Sequence, residues 1–70
     1  MNVVVPDAEA RERLVSYLRE RGYLVAVEHQ RDTVQVQPLN STSERHDRSV
    51  LGRDLREWRA DNRGVIVELR

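Results

Sequence analysis

The chain has 70 residues, with 12 basic residues against 12 acidic ones and a formal net charge of zero. It has no cysteine, which excludes disulfides and cysteine-based metal or thiol sites. Its length suits one domain, residues 1–70, with one small core. No apolar run approaches the ~20 residues of a membrane span, and no signal peptide is recognisable. We therefore expect a soluble, cytoplasmic protein.

The first part of the chain predicts a strand followed by a helix. Residues 2–5, three valines after Asn2, predict a short strand that ends at Pro6, because proline lacks the N–H needed to continue it. Asp7 is typical of a helix cap, and apolar residues recur at the helical period over residues 8–21. Gly22 then stands where a left-handed residue ends a helix.

The middle of the chain predicts a β-hairpin. Residues 23–29 have the composition of a strand, residues 30–32 form a polar turn, and Thr33–Pro38 alternates apolar and polar side chains. Two strands joined by so short a turn pair antiparallel.

The last part predicts a second helix and a final strand. Ser41 and Glu44 have the spacing of a capping box, and leucines with Trp58 mark one face of a helix over residues 44–61. Gly52 inside this helix indicates a kink or a close approach by another helix. The apolar residues 65–69 after Gly64 predict a strand at the sheet edge.

This order, β-α-β-β-α-β, predicts an α+β sandwich of the ferredoxin-like type. Two right-handed crossovers give a four-stranded antiparallel-type sheet in the order 4-1-3-2, with two helices on one face. The predicted core consists of Val3, Val5, Val25, Val27, Val34, Val36, Val65, Val67, Leu14, Leu18, Leu51, Leu55 and Trp58. The uncovered face is predicted to carry Val4, Leu24, Ala26, Glu28, Thr33, Gln35, Gln37, Ile66 and Glu68.

The uncovered face is the first candidate site. Its apolar residues, ringed by glutamine and glutamate, favour a contact surface, and the final strand is an apolar sheet edge. We expect a non-enzymatic protein-interaction or regulatory domain that pairs with itself as a homodimer or with another protein. The residues predicted to make the interaction are Leu24, Ala26, Gln35, Gln37 and Ile66.

The second helix is the alternative candidate, as a nucleic-acid interface. Its arginines in question are Arg45, Arg48, Arg53, Arg56 and Arg59. Residues 44–64 hold six arginines against five acids, and this near balance favours a solvated helix with ion pairs four residues apart. Such pairs are predicted for Asp7 with Arg11, Glu9 with Arg13, and Glu44 with Arg48. Nucleic acid is therefore the less favoured partner.

Other chemistry is not indicated. His29 and His46 have no short-range ligand spacing, so no metal is expected. Ser43 lies one turn before His46, but a serine ahead of a helix is typical of a cap. No glycine-rich phosphate loop, cofactor motif or catalytic set is present, and we expect no cofactor.

The absence of lysine leaves two interpretations open. One is codon bias in a GC-rich genome, since all 12 basic residues are arginine and are spread along the chain. The other is selection for the planar, bidentate guanidinium at phosphates or carboxylates.

Overall fold

The computed structural model describes residues 1–28, 31–40 and 43–70. The turn residues His29 and Gln30, and Ser41 of the predicted capping box, lie outside the described residues. The described elements are β1 (Asn2–Val4), α1 (Ala8–Glu20), β2 (Tyr23–Val27), β3 (Thr33–Pro38), α2 (Glu44–Asp61) and β4 (Glu68–Leu69).

Helix α1 begins and ends at the predicted signals. The Asp7 carboxylate accepts a hydrogen bond from the Ala10 backbone N–H at 3.1 Å, so it caps the first turn. Gly22 follows the helix with φ of 92°, a left-handed conformation that glycine adopts without a side-chain clash. The chain is thereby turned directly into β2.

The four strands form one antiparallel sheet in the order β2-β3-β1-β4. Counted from the β4 edge, the same neighbours have the order 4-1-3-2. In the central pair Val3 lies opposite Val34, and in the hairpin Val25 lies opposite Val36. The sheet therefore places the buried valines of three strands side by side.

The final strand is much shorter than the sequence predicts. Residues 65–67 are not strand, and β4 contains only Glu68 and Leu69, which pair with Val4 and Val3. One further pair of backbone hydrogen bonds joins the strands: the Arg70 N–H donates to the Asn2 carbonyl at 2.7 Å, and the Asn2 N–H donates to the Arg70 carbonyl at 3.3 Å. The partner strand limits this length, because β1 has only three residues and Pro6, the next residue after Val4 whose backbone would face β4, has no N–H to donate.

One face of the sheet and both helices enclose a single hydrophobic core. Its buried members are Val3, Val5, Ala10, Leu14, Val15, Leu18, Tyr23, Val25, Val34, Val36, Leu51, Leu55 and Trp58. Val27, Val65 and Val67 are predicted as core residues, but their side chains are only half-buried and pack at the margin of the core. Ala10, Val15 and Tyr23 are core residues that the predicted set lacks.

Two arginines of α1 tie the helix to the strands. Arg11 donates to the Val5 carbonyl at 2.8 Å, and Arg19 donates to the Val25 carbonyl at 3.0 Å. The backbone N–H and carbonyl of Val36 both bond Met1, so they face away from β2. Val25, which lies opposite Val36, therefore has its backbone N–H and carbonyl directed to the outer edge of the sheet. The guanidinium of Arg19 therefore occupies a hydrogen-bonding position at the outer edge of β2.

Candidate nucleic-acid interface

The cap of α2 is Ser43 rather than the predicted Ser41. The Ser43 hydroxyl accepts a hydrogen bond from the backbone N–H of His46 at 3.2 Å, and the helix begins at Glu44. Ser43 is thus engaged in holding the first turn. From this start α2 runs for 18 residues, a length of about 27 Å at 1.5 Å per residue.

The outward side of α2 carries arginines and no carboxylate. At about 100° per residue, five arginines fall within a sector of roughly 140° that lies opposite the buried residues of the helix. All five are exposed: Arg45, Arg48, Arg53, Arg56 and Arg59. The other residues of the sector are the small residues Ser49, Gly52 and Ala60. We call the five arginines the basic face; it extends ~21 Å along the helix.

The acidic residues of α2 lie elsewhere, and two of them are buried. Asp47 and Asp54 are only 8% and 5% exposed. The hydroxyl of Tyr23 donates to Asp54 Oδ2 at 2.7 Å, and Arg21 Nη1 lies 3.5 Å from Asp54 Oδ1. These charges are therefore directed into the fold and do not offset the basic face at its surface.

A third acidic residue of α2 is held by Arg21, the residue that follows α1. Arg21 Nη2 lies 3.2 Å from Glu57 Oε2, so one guanidinium bridges Asp54 and Glu57. The same guanidinium lies over the Tyr17 ring, 4.8 Å from its centroid, and the Tyr17 hydroxyl donates to the Asp54 carbonyl at 3.4 Å. This cluster joins α2 to the end of α1 along the flank of α2 that borders the basic face at Arg53, four residues before Glu57.

The environment of Tyr23 keeps its phenol protonated. Burial raises the pKa of Tyr23 well above its usual value of 10.0, and the hydrogen bond to Asp54 and the charge of that carboxylate raise it further. Tyr23 is accordingly a hydrogen-bond donor to Asp54 across the neutral pH range.

The basic face is not neutralised by the predicted ion pairs. Within residues 1–28, 31–40 and 43–70, its five side chains make no hydrogen bond or ion pair with described residues. The predicted pair of Glu44 with Arg48 is absent from this part of the chain, as are those of Asp7 with Arg11 and Glu9 with Arg13. Asp7 caps α1, and Arg11 binds a backbone carbonyl. These three predicted pairs are wrong.

The balanced charge count therefore concealed a segregated surface. Six arginines against five acids describes residues 44–64 correctly, but no acid of α2 lies in the sector that carries its arginines. Asp47 and Asp54 are buried, and Glu57 is paired with Arg21. The signal was present in the spacing, since the steps from Arg45 to Arg48 and from Arg56 to Arg59 keep each pair on one helical face.

The open sheet face brings together four of the five predicted interaction residues. Leu24, Ala26, Gln35 and Gln37 line one shallow depression, and the Leu24 side chain is 57% exposed. Leu24 lies opposite Gln37 and Ala26 opposite Gln35. Ile66 is 69% exposed but lies just before β4, at the other edge of the sheet. The strands β3 and β1 separate it from Leu24.

The predicted apolar patch is consequently divided. Gln35 and Gln37 stand on β3, between Leu24 on β2 and Val4 on β1, and Val4 is half-buried. Neighbouring strands are ~4.8 Å apart, so β2 and β4 lie ~14 Å from each other. The open face carries one small apolar spot at its β2 edge and a separate one at Ile66.

No metal or membrane-spanning feature is present in the part of the chain that the structure describes. It contains no group of three histidine or acidic side chains placed to hold a metal ion. None of its helices is long and apolar enough to cross a bilayer. His46 is exposed at the start of α2, and His29 lies outside the described residues.

The chain was compared with known proteins. No protein-family model, curated protein or solved structure matches it. Function is therefore argued from the placement of its own residues.

Proposed function

We propose that the protein binds nucleic acid through the basic face of α2, as an accessory protein without enzymatic activity. The supporting observation is the segregation of five exposed arginines, which make no ion pair with the described residues, from the acids of the same helix. A phosphate backbone is the polyanion that such an array complements, because a guanidinium can bind phosphate oxygens through two N–H groups. Local clustering produces this potential although the whole chain is neutral.

The size of the array sets the expected strength and salt dependence. If all five arginines contact phosphates of duplex DNA, the slope of log K against log salt is about −4.5, or about −3.5 for a single strand. Binding of this kind is independent of sequence and belongs to the non-specific affinity range of roughly 10⁻⁴ to 10⁻⁶ M at physiological salt.

The test measures binding of a labelled oligonucleotide by fluorescence anisotropy at salt concentrations from about 20 to about 200 mM. Over this range the release of counterions changes the affinity measurably. Arg48→Glu with Arg56→Glu reverses two charges on the basic face. Arg13→Glu with Arg70→Glu makes the same change of net charge on exposed residues elsewhere. We expect the first variant to lose binding and the second to keep most of it. No binding at the lowest salt, or equal losses in both variants, would overturn the proposal.

A second candidate function is self-association through the open sheet face. The observation that favours it is the exposed Leu24 beside Ala26, Gln35 and Gln37, a surface without a charged side chain. A second copy of the chain brings no charged side chain against these four residues, and the glutamine amides offer donors and acceptors to each other. A small domain also gains buried area from pairing.

Sedimentation velocity at micromolar concentrations tests this second proposal. Leu24→Glu places a charge in the uncharged surface, whereas Ile66→Glu places it at the separate spot near β4. A dimer that Leu24→Glu dissociates and Ile66→Glu leaves intact supports pairing through the β2 side of the face. A monomer at every concentration, or equal sensitivity to both changes, contradicts it.

Two finer points belong to the same proposal. We assign the architecture to the ferredoxin-like type, since the strand neighbours are antiparallel and both helices contribute to one core cluster. We also place the protein in the cytoplasm, where the nucleic acid that the basic face would bind is present.

A further inference from the structure

Gly52 lies in the interior of α2, and neither the backbone conformation there nor the packing of the described residues requires a glycine. Glycine destabilises an exposed helix interior relative to alanine, because it loses more backbone freedom on folding. A Cβ added at Gly52 meets no atom within 4 Å, and the residue has no positive φ. The predicted close approach of another helix at Gly52 is therefore wrong, because no described element packs against this residue.

The position of Gly52 on the helix is the centre of the basic face. Arg48 and Arg56 are four residues before and after it, so their side chains lie above and below Gly52 on the same side of α2. At this point the half-buried Gly52 places no side chain between Arg48 and Arg56, which are exposed and make no ion pair with the described residues. A ligand that binds both arginines reaches the backbone of α2 at Gly52.

We infer that the ligand of the basic face is double-stranded DNA, whose major groove receives α2 with Gly52 at the point of closest approach. This inference rests on the proposed nucleic-acid-binding function. The major groove of B-form DNA is ≈ 12 Å wide and admits an α-helix, which is about 10–12 Å across with its side chains. Absence of a side chain at Gly52 lets the helix axis move deeper, while arginines on both sides reach the phosphates.

The length of the basic face agrees with this groove. The ~21 Å from Arg45 to Arg59 corresponds to roughly six base pairs at 3.4 Å each, about half a helical turn of DNA. Over that distance the flanking phosphates of both strands stay beside the inserted helix. Arg48 and Arg59 lie toward one side of the face and Arg53 toward the other, as binding to two backbones requires.

Single strands and RNA helices are less suitable ligands. Proteins that bind single strands stack bases on exposed aromatic rings. Trp58 and Tyr23 are buried, and Tyr17 is half-buried against Arg21. These three residues are all the tryptophan and tyrosine of the chain, and it has no phenylalanine. The major groove of A-form RNA is deep and too narrow for side chains to read.

The experiment varies the side chain at Gly52 and the form of the nucleic acid. Gly52→Ala and Gly52→Gln are compared with Ser16→Gln, which adds the same side chain to the exposed surface of α1. Each is titrated with a 16-base-pair DNA duplex, one of its single strands, and an RNA duplex of the same sequence. Thermal unfolding is recorded for every variant.

We expect Gly52→Ala to raise the melting temperature while weakening duplex DNA binding by about threefold, and Gly52→Gln to weaken it by about tenfold or more. Ser16→Gln leaves binding unchanged. Wild-type protein prefers duplex DNA over both other ligands by about tenfold. Equal affinity for the three ligands, or unchanged DNA binding in Gly52→Gln, overturns this inference. Arginine-dependent binding would then persist, whereas absence of binding to every ligand refutes the proposed function itself.

Discussion

The hydrogen bond from Tyr23 to Asp54 provides a sharp test of how this small fold is stabilised. Tyr23→Phe removes only the hydroxyl that lies 2.7 Å from Asp54 Oδ2. The carboxylate is then left 5% exposed, and among the described residues its remaining partner is the Arg21 guanidinium at 3.5 Å. A hydrogen bond to a charged group contributes about 1.5–3 kcal/mol, and a buried acceptor without its donor cannot recover this from water. We expect a loss of about 2 kcal/mol.

The matched control is Tyr17→Phe. Its hydroxyl donates at 3.4 Å to the neutral backbone carbonyl of Asp54, and its ring keeps the contact with Arg21. We expect this variant to lose about 0.5 kcal/mol, because the bond is long, partly exposed and between neutral groups. Urea unfolding followed by circular dichroism gives both values, and the difference corresponds to roughly 6–12 °C in melting temperature for a domain of this size.

The same pair predicts a dependence on alkaline pH. Burial and Asp54 raise the pKa of Tyr23 in the folded state above its value of 10.0 in an unfolded chain. Its contribution to stability is therefore complete below pH 10 and is lost as the pH rises from there toward the folded-state pKa. Tyr23→Phe should flatten this alkaline fall. Equal losses in the two phenylalanine variants, together with an unchanged alkaline fall, would refute the assigned role of Tyr23.

Three further substitutions are expected to lower stability for separate reasons. Asp7→Ala removes the cap of α1 and should cost about 1 kcal/mol in urea unfolding, while Glu9→Ala in the same first turn should cost less than half of that. Leu18→Ala empties a fully buried position and should cost 2–5 kcal/mol, roughly enough to leave much of the chain unfolded at 37 °C; a loss below about 1 kcal/mol would show that the core is loosely packed. Gly22→Ala should cost about 1 kcal/mol through its positive φ alone, because nothing lies within 4 Å of the added Cβ, so a neutral result by thermal melting would contradict the left-handed turn.

Elements with strong local signals were predictable. The helix α1 has its cap at Asp7 and its stop at Gly22, and the alternation of Thr33–Pro38 matches β3. The bounds of α2 follow from its apolar face, although its cap lies at Ser43. These features depend on residues within a few positions of each other, which a single sequence contains in full.

Features that depend on distant partners were not predictable in the same way. The length of β4 is set by the short partner β1, and the alternation of residues 65–69 carries no information about that partner. Asp54 becomes a buried residue because Tyr23 and Arg21 reach it from 31 and 33 positions away. A charge count treats Asp54 as a surface group, which is why the segregation of arginines was missed.

The basic face itself was within reach of sequence reasoning. Placing Arg48 and Arg56 on a helical projection puts them on one side of α2, with Gly52 between them. Only the structure shows that Arg48 and Arg56 make no ion pair with the described residues, because Glu44 has the right spacing in the sequence for an ion pair with Arg48.

The burial of Trp58 has a spectroscopic consequence. It is the one tryptophan of the chain, it is 5% exposed, and it lies on the side of α2 opposite the arginines. Its emission should be blue-shifted and protected from iodide in the folded protein, and both properties should be lost on unfolding. A ligand on the outer side of α2 is separated from the indole by the body of the helix, so it should leave the emission maximum in place. The emission of Trp58 therefore reports on the integrity of the core, whether or not a ligand is bound to the basic face.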